Sequence, residues 1–441
     1  MLQILYLIPA TVGGVPLFGW GVLAWLWMAW CAGLLIYRAV KRDTPTDLAG
    51  SLGMAGLVLA MIVFIAPNIM EKDAAGVPQG IAIRGYGVML LSGIVSGVGL
   101  TLYRAKRAGL SADVIYSLAL WVFVAGMIGA RAFYVIEYWP QFQRPTLGET
   151  LGSVVNMTRG GLVVFGGLIG AVGALLLFTR KHNLPVLPLA DLVAPGMMLG
   201  LALGRVGCFF NGCCFGDLCT LRWGAEFPLM SPPHMRQIEN GRLFGFTLKD
   251  PTEPLTDAQS TVPGMRRPRV ASVETDSPAE RAGLQVGDLV LRINDRPLAS
   301  ADEAQEILLT AVRDGQLPLR IDAAGKSYVV ELPARLQTHS RPVHPVQIYS
   351  AIDALLLTLL LLAFEPLRRR DGETFALFLG VHGISRFLLE TIRIDEGAVF
   401  GTGLSISQNI SVLMLLGAVG LWIYASRRPP QTAWPAAVAA G

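Results

Sequence analysis

Long apolar stretches recur along most of the chain, and they are long enough to cross a lipid bilayer as helices. The hydrocarbon core of a bilayer is about 30 Å thick, which requires roughly 20 apolar helical residues. The candidate stretches run over residues 17 to 37, 50 to 67, 85 to 103, 114 to 136, 161 to 179, 191 to 210, 347 to 365, 373 to 392 and 406 to 425. The pattern predicts an all-α polytopic membrane bundle of about nine spans, interrupted once by a soluble segment.

Clusters of Lys and Arg lie between the apolar stretches and indicate their orientation. Cytoplasmic loops are enriched in these residues, and two spans separate each cluster from the next, so a single orientation places every cluster in the cytoplasm. The clusters are Arg38/Lys41/Arg42, Arg104/Lys106/Arg107, Arg180/Lys181, Arg368/Arg369/Arg370 and Arg427/Arg428. This orientation predicts an exterior N-terminus, a cytoplasmic C-terminus and an exterior insert between residues 217 and 340.

The insert changes from long apolar stretches to short alternating ones. The strand patterns RVASV, LVLRIN, LPLRID and SYVVEL surround an amphipathic stretch from Ala301 to Val312, which predicts a small α+β module. The segment from Ser277 to Leu298, SPAERAGLQVGDLVLRINDRPL, resembles the core of bacterial PDZ domains. Such domains bind a peptide at a sheet edge beside a helix. The expected carboxylate loop would fall at Pro263 to Arg267, which matches that pattern poorly, so a peptide-binding module and a folded spacer both remain open.

Composition agrees with lipid as the main solvent. Hydrophobic residues make up 53% of the chain and charged residues 15%. The net charge of +4 comes from the short clusters between spans rather than from a basic face, so nucleic acid is not an expected partner. No Lys or Arg precedes Arg38, which predicts that the first apolar stretch is retained as a helix rather than cleaved as a signal peptide.

One predicted span carries a polar stripe. His382, Arg386, Glu390 and Arg393 are spaced by four, four and three residues, which places them on one helix face. Ionisable residues within a span usually face a cavity or a partner. The alternative is a structural Arg/Glu pair, which leaves the second Arg and the His unexplained.

A second polar feature closes the span before the insert. The segment from Leu199 to Gly216, LGLALGRVGCFFNGCCFG, places Arg205 among glycines that keep side chains away from the backbone. An Arg fork beside exposed amides suits a phosphate oxygen. The alternative is an interfacial Arg that reaches lipid headgroups beside glycines that allow close helix packing.

This segment also carries a family resemblance. GRVGCFFNGCCFG resembles the signature GR-x-GNF-x-NGE-x-x-G of the prolipoprotein diacylglyceryl transferase family. Further stretches agree in order: IRGYGVML, GGLVVFGGLIGA, ADLVAP, RWGAEFP, HPVQIY and GISRFLLETIR. Tyr86, Arg131, Phe165, Arg205 and His344 fall near the exterior ends of their predicted spans and Arg386 in an exterior half, so they can converge at the outer leaflet.

The resemblance implies a membrane transferase without cofactor or metal. Its implied reaction moves the diacylglyceryl group of phosphatidylglycerol to the lipobox cysteine thiol of a preprolipoprotein in the bacterial cytoplasmic (inner) membrane. Arg205 and Arg386 would hold the phosphate. The substrate-binding positions that match the family are Tyr86, Cys208, Asn211, Gly216, His344 and Glu390.

Three departures from the family pattern concern the proton acceptor. Phe165 stands where many members have His or Tyr, and Cys208 and Cys213 replace the Asn and Glu of the signature. His382 replaces a Tyr four residues before Arg386. Imidazole titrates near neutral pH, so His382 is the predicted general base and His344 the second candidate, with a packing role for His382 left open.

Four of the five cysteines crowd together at Cys208, Cys213, Cys214 and Cys219. Small apolar packing residues, a disulfide to Cys219 and a metal site all remain open, although adjacent cysteines suit few chelate geometries.

The resemblance divides the chain into a membrane core and additions. We predict two extra N-terminal transmembrane helices (1 to 80), a core in two parts (81 to 216 and 337 to 428), an exterior loop (217 to 263), a PDZ-like domain (264 to 336) and a cytoplasmic tail (429 to 441). Phosphatidylglycerol, the precursor lipobox, membrane lipid and a ligand of the PDZ-like domain are the expected partners. A catalytically degenerate lipid- or lipoprotein-binding scaffold is the alternative function. The sequence shows no protease motif and no inverted repeat, so it favours neither a membrane protease nor a transporter.

Overall fold

The structure is a computed structural model that describes residues 4–41, 55–73, 76–156, 160–250, 267–393 and 401–434. The predicted carboxylate loop at Pro263 to Arg267 lies outside the described residues except for Arg267. Two compact units are present, residues 1–88 and residues 89–441.

The smaller unit combines a sheet with two apolar helices. Strands β1 (Ile4–Pro9), β4 (Glu71–Lys72) and β5 (Pro78–Arg84) form an antiparallel sheet in the order β1-β5-β4, and β2 (Thr11–Val12) pairs with β3 (Val15–Pro16). Helices α1 (Val22–Lys41) and α2 (Ala55–Ile69) overlap the first two predicted spans, 17 to 37 and 50 to 67, and begin five residues after each predicted start among the described residues. The apolar parts of both helices are shorter than the other candidate spans, and the sheet was not expected from the sequence.

Helices dominate the larger unit. They are α3 (Gly85–Arg107, which begins in the smaller unit), α4 (Ala112–Glu137), α5 (Trp139–Phe142), α6 (Leu147–Val155), α7 (Val164–Lys181), α8 (Val186–Asn211), α9 (Pro232–Glu239), α10 (Pro278–Arg281), α11 (Ala301–Arg313), α12 (Ala334–Thr338), α13 (Val346–Phe364), α14 (Glu373–Glu390) and α15 (Ile406–Ser426). Six of the helices in the described residues are long and apolar enough to cross a membrane: α3, α4, α7, α8, α13 with its extension to Leu367, and α15. The predicted class, a multi-pass helical membrane protein, is confirmed at this coarser level. The count of nine stays a prediction, since α14 carries Glu373, Arg386 and Glu390 and is less apolar than these six.

Glycine pairs allow the long helices to approach closely. A Cβ added at Gly166 of α7 would lie 2.3 Å from the Gly129 carbonyl oxygen of α4. A Cβ at Gly196 of α8 would similarly lie 2.5 Å from the Gly97 carbonyl oxygen of α3. Small residues permit such packing in membranes, where no hydrophobic force drives helices together.

A buried carboxylate fixes the start of α14. Asp191 of α8 is fully buried and accepts hydrogen bonds from the backbone N–H groups of Gly372 (2.6 Å) and Phe375 (2.7 Å). It also pairs with Arg368 at 3.2 Å. Carboxylates at a helix N-terminus satisfy unpaired N–H groups and the helix dipole. Asp191 therefore links α8 to the helix that bears the predicted polar stripe.

A second ion pair joins α3 to this end of the bundle. Arg104 contacts Glu365 at 2.7 Å, and its guanidinium also donates to the backbone carbonyls of Asp191 (3.1 Å) and Leu192. The Arg104 side chain is 4% exposed, so the pair is held within protein rather than in solvent.

The insert has its own hydrophobic core. Strands β8 (Val290–Ile293), β9 (Arg296–Pro297), β10 (Leu319–Ala323) and β11 (Lys326–Val330) form a sheet in the order β11-β10-β8-β9, while β6 (Phe246–Lys249) pairs with β7 (Arg269–Val273). Helix α11 packs Ala304, Ile307, Leu308 and Ala311 into this core. Ile238, Leu243 and Phe244, from the segment predicted as a loop, are also core residues.

Polar contacts attach the insert to the residues that follow it. Arg341 pairs with Glu274 at 2.5 Å. The backbone N–H of Arg341 donates to Gln237 Oε1 at 2.8 Å, and Gln237 Nε2 donates to the Arg341 carbonyl at 3.1 Å. Residues Ala225 and Val343 also form a β-bridge. The insert is therefore held against the strand-like segment that leads into α13.

We predict that Asp191→Asn destabilises the bundle. The amide keeps the size of the side chain but removes the charge that neutralises Arg368, whose side chain is 5% exposed. Breaking a buried ion pair costs about 3 kcal/mol or more. Thermal unfolding in detergent should show a midpoint lowered by several degrees. Asp113→Asn, an exposed acid at the start of α4, is the control, and equal shifts for both variants would contradict the anchor role.

Candidate active site

The polar stripe predicted on one helix face is divided, because α14 ends at Glu390 and Arg393 lies beyond the helix. Its arginines form a network around one buried carboxylate. Glu390 is 5% exposed and contacts Arg386 at 3.0 Å and Arg393 at 3.3 Å through the same oxygen, Oε2. Arg386 also donates to Ser407 Oγ of α15 at 2.9 Å. Two guanidinium groups therefore share one carboxylate among the described residues.

Arg205 lies near this network without a protein partner. It is half-buried on α8 and forms no hydrogen bond or ion pair with the described residues. Its charge and that of Arg386 both act on the imidazole of His382. The structure thus brings Arg205, His382 and Arg386 into one neighbourhood, where guanidinium groups can hold an anionic ligand.

His382 combines packing with an unused nitrogen. Its ring stacks on Phe378 of the same helix, with centroids 5.7 Å apart. Its Nδ1 is buried and accepts or donates no hydrogen bond within the described residues. A buried polar atom without a partner is uncommon in native proteins and indicates a site that a ligand or water completes.

The turn after α8 is held against two other segments. Asn211 ends the helix, and Gly216 donates its N–H to the His344 carbonyl at 2.9 Å. Asp217 N–H donates to the Ile392 carbonyl at 3.2 Å. A Cβ at Gly216 would lie 2.8 Å from Cβ of His344, so this position requires glycine. Gly216, His344 and the segment that follows α14 therefore meet at this turn.

His344 belongs to an aromatic network that the sequence did not single out. Its Nδ1 lies 3.3 Å from Tyr349 Oη, which accepts a hydrogen bond from Trp223 Nε1 at 2.9 Å. Gln347 donates from Nε2 to the Cys213 carbonyl at 2.6 Å. The signal available beforehand was the presence of a polar Gln and a Tyr in the first turn of a mostly apolar span.

Tyr86 and Phe165 lie at the starts of two other helices. Tyr86 is the second residue of α3, is 38% exposed and belongs to the smaller unit. Phe165 is the second residue of α7 and is half-buried. The roles of both positions stay predictions.

Arg131 is a buried arginine with a structural role. Its guanidinium donates to five backbone carbonyls at 2.7 to 3.0 Å, those of Ser153, Val154, Asn156, Gly160 and Gly161. All five N–H donors of an Arg are thereby used. Arg131 therefore organises the chain between α6 and α7 and keeps no donor for a ligand.

Comparison with known proteins identifies the family. The family model described as prolipoprotein diacylglyceryl transferase matches residues 74–424. A relative from Rhodopirellula baltica, named phosphatidylglycerol–prolipoprotein diacylglyceryl transferase, is 33% identical over 95% of this chain and 88% of its own. This chain belongs to the prolipoprotein diacylglyceryl transferase family. The family predicted from the signature is confirmed.

Other relatives of the same name match shorter regions. The Trichormus variabilis protein is 34% identical over 36% of this chain and 55% of its own, and the Deinococcus radiodurans protein is 38% identical over 30% and 38%. Among solved structures, the HtrA3 PDZ domain bound to a phage-derived ligand aligns with 25% of this chain and 88% of its own, at 21% identity and a TM-score of 0.17.

Three of the thiols of this chain lie close together. All five cysteines are free thiols, and the Sγ atoms of Cys208, Cys213 and Cys214 lie within 4.8 Å of one another. The buried Cys219 lies outside this group.

Proposed function

We propose that this chain transfers the diacylglyceryl group of phosphatidylglycerol to the lipobox cysteine of a prolipoprotein. The cysteine sulfur attacks the glyceryl carbon, a thioether bond forms, and the C–O bond to phosphate breaks. Glycerol phosphate leaves with the electron pair, and the thiol proton passes to a base. The observation that supports this function best is that Arg205 lies beside His382 and Arg386 and has no partner among the described residues, in a chain of this family.

The two arginines have different parts in the proposed phosphate site. Arg205 is available for a direct contact, because its guanidinium is not used by the described protein groups. Arg386 is held in place by Glu390 and Ser407, so its donors are fixed before the substrate arrives. Preorganised donors of this kind stabilise charge that develops on a leaving group.

His382 is the proposed general base, and His344 is the second candidate. The free Nδ1 of His382 gives it a lone pair or proton that no described group uses. His344 already contacts Tyr349, which favours a positioning role for it. A catalytically inactive scaffold remains the alternative because Phe165 cannot exchange a proton, and complementation separates the two functions.

The proposed topology follows the positive-inside rule. An exterior N-terminus, a cytoplasmic C-terminus and nine spans place the insert and the turn after α8 on the exterior side, where secreted precursors are found. Asp191, Arg368 and Arg104 then lie at the cytoplasmic end of the bundle. The proposed domain limits are those given by the sequence, with the insert core extended back to Ile238.

The insert contains a groove that suits an extended polypeptide. A cavity of about 250 Å³ lies between β6 and α11, lined by Arg242, Thr247, Leu248, Ala304, Gln305 and Leu308 among others. Strand β6 pairs with β7 on one edge, so its other edge can pair with an added strand. We propose that this groove binds an extended segment of the prolipoprotein downstream of its lipobox.

Proximity to the turn after α8 supports that occupant. Arg242, at the groove, pairs with Asp217 at 2.6 Å, and Asp217 directly follows Gly216. A precursor held in the groove therefore has its chain close to the residues proposed to bind the lipid. An open groove at this position favours a binding role for the insert over a folded spacer.

We expect Arg205→Gln to abolish transfer. Losing one preorganised donor to developing charge lowers turnover by about 100-fold or more. The measurement is lipidation of a reporter prolipoprotein in a bacterium depleted of its own transferase, with the intact chain as reference. Arg180→Gln, at the exposed end of α7, is the matched control. Equal rescue by both variants would reject the phosphate assignment, and failure of the intact chain would favour the scaffold.

His382→Phe should also abolish lipidation, because the aromatic ring keeps the packing on Phe378 but cannot accept a proton. His344→Phe should retain measurable transfer. Initial rates across a pH series provide a second readout, since the rise of rate with pH that a titrating base produces should disappear with the base. Near-normal rates and an unchanged pH profile for His382→Phe would exclude His382 as the general base.

Filling the groove should weaken precursor binding without changing chemistry. Gln305→Trp places a large side chain in the cavity, whereas Glu306→Trp puts the same side chain on the exposed face of α11. We expect Gln305→Trp to raise KM severalfold for a full-length precursor and to leave KM for a short lipobox peptide unchanged. Identical kinetics of the two variants would indicate that the insert is a folded spacer.

A further inference from the structure

Three cysteine thiols lie together at the C-terminal end of α8 and in the turn after it. The family resemblance puts Cys208 at a substrate-binding position, but no chemical step proposed above uses any of the three thiols. The Sγ atoms of Cys208, Cys213 and Cys214 are all within 4.8 Å of one another. All three side chains are half-buried, so a small ion from solvent can reach them. The group is distinct from Cys31 and Cys219, which are not part of the cluster.

The backbone of the turn explains how adjacent cysteines face the same point. Gly212 has a φ of 76° and Cys214 a φ of 60°. A left-handed conformation is uncommon for a residue with a Cβ, and such residues concentrate at functional sites. This turn directs the thiols of Cys213 and Cys214 toward Cys208, which removes the objection that adjacent cysteines chelate poorly.

Other contacts hold the turn in this form. The Cys213 N–H donates to the Cys208 carbonyl at 3.2 Å. The Cys213 carbonyl accepts from Gln347 Nε2 of α13 at 2.6 Å. The cluster is therefore fixed by two helices rather than by one loop, and it is preorganised before any ligand arrives.

The spacing of the thiols fits a single metal ion. A Zn–S bond is about 2.3 Å long, so two sulfurs on one tetrahedral ion lie about 3.8 Å apart. The largest separation in the cluster, 4.8 Å or less, exceeds that value by about 1 Å, which side-chain rotation can close. Thiolates select soft ions such as Cu⁺ and Zn²⁺ over Mg²⁺ or Ca²⁺.

We propose that Cys208, Cys213 and Cys214 bind one thiophilic d¹⁰ ion, either Cu⁺ or Zn²⁺. Cu⁺ takes the three sulfurs alone, and Zn²⁺ adds a water as a fourth ligand. Each thiol releases its proton to solvent on binding, so affinity falls as the pH is lowered. The ion cross-links the turn that carries Asn211 and Gly216. This proposal does not depend on the transfer reaction, for which the family resemblance implies no metal.

Metal binding is measured on the intact chain in detergent after reduction, removal of metal and removal of reductant. Zn²⁺ and Cu⁺ are titrated separately, the bound ion is counted by elemental analysis after desalting, and its sulfur neighbours are counted by X-ray absorption. We expect one ion per chain with three sulfurs. Cys214→Ser should weaken binding by at least 10-fold, while Cys219→Ser and Cys31→Ser should bind as the intact chain does.

Several outcomes overturn the proposal. A bound amount that is unchanged in the variant with serine at all three positions would place the metal elsewhere. Equal losses of metal affinity in Cys214→Ser and Cys219→Ser would show that the metal site is not this cluster. A reduced protein that binds neither ion, but in which two of the three thiols form a disulfide under mild oxidation, would show a redox pair instead. The transferase activity of Cys214→Ser reports separately on the proposed function.

Discussion

The carboxylate of Asp191 is the contact on which the geometry of the candidate site depends. It caps α14 through two backbone N–H groups and neutralises Arg368, all without access to water. The rotation and height of α14 are therefore set at one end of the bundle. His382, Arg386 and Glu390 lie further along the same helix, so their positions follow from that anchor. A rigid helix fixed at its start carries its polar face to the turn after α8.

At the other end of the bundle, the arginines differ in their contacts with carboxylates. Glu390 is shared by Arg386 and Arg393, whereas Arg205 has no counter-ion among the described residues. Inside a bundle of apolar helices, an uncompensated guanidinium is costly unless an anion or lipid headgroup joins it. The site is therefore complementary to an anionic ligand more than to a neutral one, which agrees with the phosphate of the family's lipid substrate.

Local spacing predicted part of this site and could not predict the rest. The stripe on α14 followed from intervals of three and four residues, and Gly216 followed from the signature. Trp223 and Tyr349, by contrast, are 126 residues apart, and their contact depends on the insert bringing two strand-like segments together. The sequence placed Arg131 near the exterior end of its span, but it could not show that five backbone carbonyls surround the guanidinium, because their conformation does not follow from a periodic pattern. Likewise, the φ of Cys214 is a property of the turn, not of the residue type.

The ion pair between Arg242 and Asp217 connects two places that a ligand can occupy. Arg242 lines the groove of the insert. The backbone of Asp217 forms hydrogen bonds with the backbones of His344 and Ile392 beside the candidate lipid site. A polypeptide that changes the position of Arg242 also changes the environment of that backbone. Thermodynamic linkage is reciprocal, so any effect that a polypeptide in the groove has on lipid affinity is matched by an equal effect of lipid on the affinity of the groove. Under the proposed function, the exposed ion pair between Arg242 and Asp217 is the contact through which such coupling between precursor and donor lipid would pass.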